Sequence, residues 1–260
     1  MSLQPFTLKK LAEDIKRVQE MGAIKSQRPG NDGGVGNTLE DLLGIKENNI
    51  PLTDIGPVEI KSHRKGSTSL LTLFHYDPLP RIGGKSFVQT LVDNYGWPHK
   101  RLKNEKSFRL TLNGDRFVDR GFNVVVDRQR RVVCIHFDSA KTDPRHSNWL
   151  KSVETRVGLG EMQPAPYWTF SDLEERAGAK IGQKVLYVTA DATMRGTDEY
   201  LQYRTALLLE DFDLNDFVNL IQKGTIYIDF DARTGHNHGT KFRIRPENLP
   251  KMYGKKQPVI

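Results

Sequence analysis

The chain has 260 residues and a formal net charge of +7, with 39 Lys and Arg against 32 Asp and Glu. Hydrophobic residues make up 37% and charged residues 27%, which suits a protein with a real core and excludes a mostly disordered chain. No stretch approaches the roughly 20 apolar residues of a membrane span, residues 1–19 lack the apolar segment of a secretory signal, and the single cysteine, Cys134, excludes a disulfide framework or a cysteine-rich zinc module. A cytoplasmic protein without membrane contact is expected.

In chain order, Leu8, Leu11, Ile15 and Val18 recur at helical spacing and predict an amphipathic helix ending near Gly22. A glycine-rich loop follows over 27–37. It lacks the Gly-Lys-Ser/Thr ending of a phosphate loop. Leu39, Leu42 and Leu43 then form the apolar face of a short helix capped by Asn37 or Thr38. Residues 58–61 and 70–75 read as strands. Residues 107–112 and 115–118 read as a hairpin around Asn113-Gly114, a pair that suits a type I′ turn. The β-branched runs 123–126 and 132–137 flank a polar turn and read as a second hairpin at the heart of a sheet. Helices are expected over 87–95, 171–177, 199–209 and 214–222, and strands over 185–189 and 225–230. The order is mixed, so the expected class is α+β with a mixed central sheet, flanking helices and two lobes around a cleft. Residues 162–168, with Pro164 and Pro166, are the candidate connector, giving a catalytic lobe over 1–160 and a recognition lobe over 161–260.

The sharpest feature is Asp54-Ile55-Gly56-Pro57-Val58-Glu59-Ile60-Lys61. Side chains two apart on a strand share a face, so Glu59 and Lys61 stand side by side while Val58 and Ile60 turn into the core. Asp54 precedes a Gly-Pro bend and can fold back toward Glu59. Carboxylate oxygens suit Mg²⁺, and the neighbouring lysine can hold a phosphate oxygen or an attacking water. The plainer reading is a surface strand with an ion pair of little consequence. Glu40, three residues after Asn37, either closes a capping box or is carried by its helix to the active face as a third carboxylate.

Two blocks, residues 33–45 (Gly-Gly-Val-Gly-Asn-Thr-Leu-Glu-Asp-Leu-Leu-Gly-Ile) and Asp54-x4-Glu59-Ile60-Lys61-Ser62, resemble the MvaI/BcnI group of type II restriction endonucleases. That group is similar in its catalytic core to the mismatch-repair nicking enzyme MutH and belongs to the PD-(D/E)xK nuclease superfamily. A weaker match covers residues 233–245. The resemblance implies that Asp54 and Glu59 ligate Mg²⁺ with the backbone carbonyl of Ile60, that Lys61 is the catalytic lysine, and that Glu40 completes the set. Thr53 stands where the motif has proline, and Lys61 makes the match closer to MvaI and MutH than to BcnI, which has histidine there. MutH has a further downstream lysine, for which Lys85, Lys100, Lys103 and Lys106 are the candidates. The group also implies a short G/C-rich double-stranded site, action as a monomer and a companion DNA methyltransferase.

The positive charge is segregated. Residues 233–256 hold seven Lys/Arg and one acid, residues 99–109 five and one, whereas residues 191–219 hold seven acids and two arginines. Within 233–245, the guanidinium fork matches guanine O6 and N7, and histidine can donate to the same acceptors. His236 and Arg243 are the first candidates for base reading, and Arg233, His238 and Arg245 come second. Phe242 and Ile244 alternate with Lys241, Arg243 and Arg245, as in a strand with one apolar and one basic face. The plainer reading is a solvated basic hairpin touching only phosphates. His236 and His238, two apart, also have the spacing of a zinc half-site, but no cysteine or clear third ligand lies nearby. The expected function is therefore a Mg²⁺-dependent site-specific endonuclease. A strand-nicking repair enzyme and a DNA-binding protein without cleavage are the alternatives.

Overall fold

The structure is a computed structural model that describes residues 7–31, 33–45 and 58–259. In chain order the elements are α1 (Leu8–Glu20), β1 (Ile24–Lys25), α2 (Gly34–Leu42), β2 (Val58–Arg64), β3 (Leu71–His75), α3 (Phe87–Tyr95), β4 (Trp97–Pro98), β5 (Lys106–Leu112), β6 (Arg120–Asp127), β7 (Val132–Thr142), α4 (Ser147–Val157), β8 (Tyr167–Thr169), α5 (Phe170–Lys180), β9 (Lys184–Arg195), β10 (Asp198–Phe212), α6 (Leu214–Gln222), β11 (Ile226–Arg233), β12 (His236–Asn237), β13 (Lys241–Ile244) and β14 (Tyr253–Pro258). No helix among the described residues is long and apolar enough to cross a membrane.

The chain packs as two compact units that interleave in sequence. Residues 1–71, 177–213 and 245–260 form the first, and residues 72–176 and 214–244 the second. Residues 162–168 lie within the second unit.

The first unit is built on a sheet of order β1-β10-β9-β2, with β14 added on β10. β2 runs parallel to β9, with Glu59 opposite Val185 and Lys61 opposite Tyr187, whereas β10 pairs antiparallel with β1, β9 and β14. A parallel pair needs a long crossover, and here the crossover from β2 to β9 carries most of the second unit. One face of the sheet is covered by α1 and α2. Leu11, Ile15 and Val18 of α1 and Val35 and Leu39 of α2 close on Val58, Ile60, Leu186, Val188 and Leu201. Thr7 caps α1 through its side chain. α2 starts earlier than its sequence suggests, at a Gly33 cap with no side-chain hydrogen bond, so Asn37 and Thr38 lie inside the helix and the Thr38 hydroxyl donates back to the Gly34 carbonyl at 2.7 Å.

The segment expected as a helix over 199–209 is the long strand β10. Leucine, alanine and glutamate favour a helix, but Glu199, Leu201 and Tyr203 alternate into the interior, and a register shift between Tyr203 and Thr205 lets Ala206 and Leu208 continue the buried side.

The second unit holds a sheet of order β3-β13-β11-β5-β4, with β12 on β11, and a separate three-stranded sheet β6-β7-β8. β6 and β7 form the expected hairpin, though in their own sheet rather than at the centre of a larger one. The Asn113-Gly114 hairpin does not form. β5 pairs with β4 and β11, and neither residue has the positive φ that a type I′ turn requires. Gly114 is instead a point of close approach, since a Cβ there would stand 2.4 Å from the Ile221 carbonyl oxygen. An aromatic core runs through this unit. Phe108 meets Phe122 and Phe230 edge to face, Phe122 and Phe137 pack on Tyr95, and Trp168 meets Phe242. Trp149 and Trp168 are buried and donate their indole N–H groups to the Tyr95 and Tyr76 carbonyls.

Candidate active site and nucleic-acid interface

Strand alternation places Val58 and Ile60 toward the α1/α2 core and Glu59, Lys61 and His63 on the other face of β2. Glu59 is 1% exposed, an unusual place for a carboxylate unless it is paired. Its charge is met twice. Lys61 Nζ lies 2.5 Å from Oε1 and Lys180 Nζ lies 2.8 Å from Oε2. Lys180 is the last residue of α5, and α5 is anchored by buried Leu173 and Ala177. Beside it the Tyr253 hydroxyl donates to the Ile181 carbonyl at 2.9 Å, and burial first, then the Glu59 charge, pushes its phenol pKa upward. The plain surface ion pair is thereby excluded, because both partners sit in a largely dry site.

Further along the same face, the His63 ring stacks on Tyr187 at 5.1 Å and 11°. Burial lowers the His63 pKa against the opposing pull of Glu247. Burial raises Tyr187 beyond its ordinary range. Arg64, one residue on, turns to the other side and makes a two-pronged pair with buried Glu199, Nε to Oε1 at 2.6 Å and Nη2 to Oε2 at 2.8 Å. Arg64 Nη2 also donates to the Asn31 carbonyl, and Gly30 N–H donates to Glu199, so this pair ties the glycine-rich loop to β2 and β10.

Asp54 lies outside the described residues. Ile60 is buried in β2 with its side chain in the core. Glu40 is half-buried on α2, the helix that covers the Val58 and Ile60 side of the strand. Its carboxylate lies beside Gly36, 3.8 Å from where a Cβ would stand, and Ser62 Oγ lies 3.4 Å from the same point. The capping box with Asn37 is not formed. The structure thus brings Glu59 and Lys61 together and adds Lys180, which sequence reasoning missed. The four lysines considered for a further role all belong to the other unit, where Lys106 donates to the Asp93 carbonyl at 2.7 Å. Among the described residues no group of three His, Cys, Asp or Glu side chains is gathered as for a metal ion.

The basic segment folds as β11, a turn and β13. Phe242 and Ile244 are buried, and Lys241 and Arg243 share the opposite face, as their alternation predicts. Each cation on that face has an acid. Arg243 Nη1 lies 3.3 Å from Asp229 Oδ2, Lys241 Nζ 3.7 Å from Asp231 Oδ2, Arg109 Nε 2.8 Å from Asp231 Oδ1, and Arg233 Nη1 2.7 Å from Glu105 Oε2. Such pairing fixes the direction of each guanidinium. His236 and His238 are exposed in the turn with ring centroids 4.3 Å apart. The turn is held by Asp77, which accepts from Asn237 Nδ2 and from the Thr240 backbone and hydroxyl. Arg245 is exposed just past β13 and belongs to the first unit. Cys134 is half-buried, with its thiol directed at the Val125 carbonyl.

Comparison with known proteins bears on this arrangement. A family model described as the MvaI/BcnI restriction endonuclease family matches residues 12–253. A solved structure described as a restriction endonuclease MvaI–cognate DNA substrate complex is 25% identical over the whole of both chains, with a TM-score of 0.78. Restriction endonuclease MvaI in the absence of DNA is 24% identical, again over both whole chains, with a TM-score of 0.58. A comparison with curated protein sequences gives no match. The mixed α+β fold is of the PD-(D/E)xK nuclease type. Family match over nearly the whole chain, shared fold and the buried Glu59–Lys61 pair agree: the chain belongs to the MvaI/BcnI restriction endonuclease family and is a type II site-specific deoxyribonuclease.

Proposed function

We propose that the protein hydrolyses phosphodiester bonds of double-stranded DNA at a short G/C-rich site with Mg²⁺ as cofactor. The observation that carries this reading is the Glu59 carboxylate, buried on the strand face and drawing two ammonium groups. A dry carboxylate that already attracts two cations, next to a strand carbonyl, is a hard oxygen donor set of the kind Mg²⁺ takes. Glu59, Asp54 and the Ile60 carbonyl would hold the ion, and Glu40, whose helix covers the opposite face of β2, would join the acidic set only by reaching round that strand. Bound there, Mg²⁺ supplies a more acidic water and charge stabilisation at the scissile phosphate. Lys61 holds a phosphate oxygen or the attacking water and offsets charge in the transition state. Lys180 holds Glu59 in place from the opposite side.

Catalysis is assigned to the first unit, which contains Glu59 and Lys61, and base reading mainly to the second. Arg233, His236, His238 and Arg243 would read base edges, with Arg245 beside them in sequence. The acid partners of Arg233 and Arg243 support this role, because a guanidinium with a fixed direction discriminates one base edge from another. The DNA complex of MvaI supports a duplex substrate. Action as a monomer in the cytoplasm, with a methyltransferase protecting the same site in the host, completes the reading.

The test is a plasmid digest with and without Mg²⁺, followed by sequencing of the fragment ends. Discrete fragments sharing one G/C-rich site are expected. Nicked circles alone would favour the strand-nicking alternative, and intact plasmid with retarded mobility a binding protein.

A further inference from the structure

Within the run 99–106, Glu105 pairs with Arg233, but Lys100, Arg101 and Lys103 have no part in the site described so far. β4 and β5 pair antiparallel, with Trp97 opposite Ser107 and Pro98 opposite Lys106, so residues 99–105 form the connecting loop. The loop is organised from within. His99 Nδ1 accepts from the Arg101 and Leu102 N–H groups at 3.1 and 3.0 Å, and His99 N–H donates to the Glu105 carbonyl at 2.8 Å. Its base is tied to the turn that bears His236 and His238: Lys106 N–H donates to Thr234 Oγ1 at 2.9 Å, and Thr234 N–H to the Lys106 carbonyl at 3.0 Å. Beside it lies an open groove of about 740 Å³ lined by Trp97, His99, Lys100, Arg101 and Arg109, among others. The Arg120 guanidinium packs over the Trp97 ring at 4.3 Å, which fixes the groove wall.

Apart from Lys106, which donates to the Asp93 carbonyl, the cations of this sheet and its β4–β5 loop fall into two classes. Arg109, Arg233, Lys241 and Arg243 each have a carboxylate partner. Lys100, Arg101 and Lys103 are exposed and pair with no carboxylate among the described residues. A paired guanidinium is aimed but partly neutralised. An unpaired cation on a shaped loop keeps its full charge for a partner outside the chain, and a row of such charges matches a phosphate backbone.

We propose that the loop carrying Lys100, Arg101 and Lys103 is a backbone clamp for duplex DNA. It grips phosphates beside the stretch read by the 233–243 segment and has no sequence preference of its own. The inference rests on the reading that this protein acts on duplex DNA.

The experiment uses the full chain with Lys100, Arg101 and Lys103 all changed to Ala, and a second variant, Lys100→Arg with Lys103→Arg, that keeps the charge. Binding is measured with Ca²⁺ in place of Mg²⁺, between 50 and 200 mM salt, on two duplexes of equal length, one carrying the cut site and one without it. The triple variant is expected to bind both duplexes more weakly by the same factor, roughly tenfold or more. The slope of log affinity against log salt should fall by about 2 to 3, close to 0.9 for each phosphate no longer held. The Arg variant should keep the wild-type slope. An unchanged slope in the triple variant overturns the clamp and leaves a solvated charge run. A weakening confined to the duplex with the cut site also overturns it, since that marks base reading. A wild-type protein with no salt-dependent DNA binding would instead refute the reading beneath it.

Discussion

A carboxylate with 1% exposure is held in its charged form only by cations close enough to offset lost hydration, and Glu59 has Lys61 on one oxygen and Lys180 on the other. The two lysines are not equivalent. Lys61 shares the strand face with Glu59, whereas Lys180 approaches from the end of α5. Lys180→Met in metal-free protein is therefore expected to cost about 1 kcal/mol, because one partner remains, and to lower the melting temperature by about 3 °C in a calorimetric scan. No change would mean that Lys61 alone carries the charge balance. The Glu59–Lys61 pairing was legible from the sequence because strand periodicity is local, and two residues apart means one face. Lys180 was not, since it lies 121 positions from Glu59 and only the crossover returning into β9 brings it there. Glu40 was legible as a helix residue, but which side of β2 its helix would cover depends on α1 and β10, far away in the chain.

At the scale of elements, the Arg64–Glu199 pair joins β2, β10 and the glycine-rich loop. The Arg64 hydrogen bonds and charge, together with Gly30 N–H, outweigh burial and hold the Glu199 carboxyl below its ordinary range. A carboxylate with a depressed folded-state pKa adds stability that is fully present above its unfolded value, near 4.3, and is lost as pH falls through the folded value. Thermal stability should therefore drop on acidification below about pH 4.5. Glu199→Gln should lose about 3 kcal/mol at pH 7 and show a flatter acid limb. A variant with an unaltered acid limb would remove Glu199 from the account. Gly114→Val is expected to destabilise by about 2 kcal/mol in urea unfolding, because its Cβ would meet the Ile221 carbonyl at 2.4 Å. If instead the valine variant is as stable as wild type, the close approach is not a constraint. The Asn113-Gly114 pair shows why element signals mislead: glycine was required here for proximity to α6, not for a positive φ. In β10, helix-forming residues occupy a strand because pairing with β9 from Asp198 to Glu210 outweighs intrinsic preference. The helices α3 and α6 matched their expected bounds, since their apolar faces are bounded by Ser86 and Gly96 and by Asp213 and Lys223.

For the whole molecule, the decisive feature is that the parallel β2–β9 pair threads most of a second unit through its crossover, with the rest of that unit between β10 and β14. The overall class was legible from the mixed order of elements. The division into units was not, because a contiguous reading has no means to see segments 1–71, 177–213 and 245–260 as one body. The basic balance of +7 arises from charges with different tasks, some fixed by acids on the β11 face and some left unpaired on the 99–105 loop. The central claim is that Glu59 and Lys61 perform the cleavage, and single-turnover digestion of a duplex with the cut site tests it most directly. Glu59→Gln and Lys61→Ala should both bind the duplex while leaving it uncut, with the rate constant at least about a thousandfold below wild type; cleavage by both variants at the wild-type rate would contradict the account.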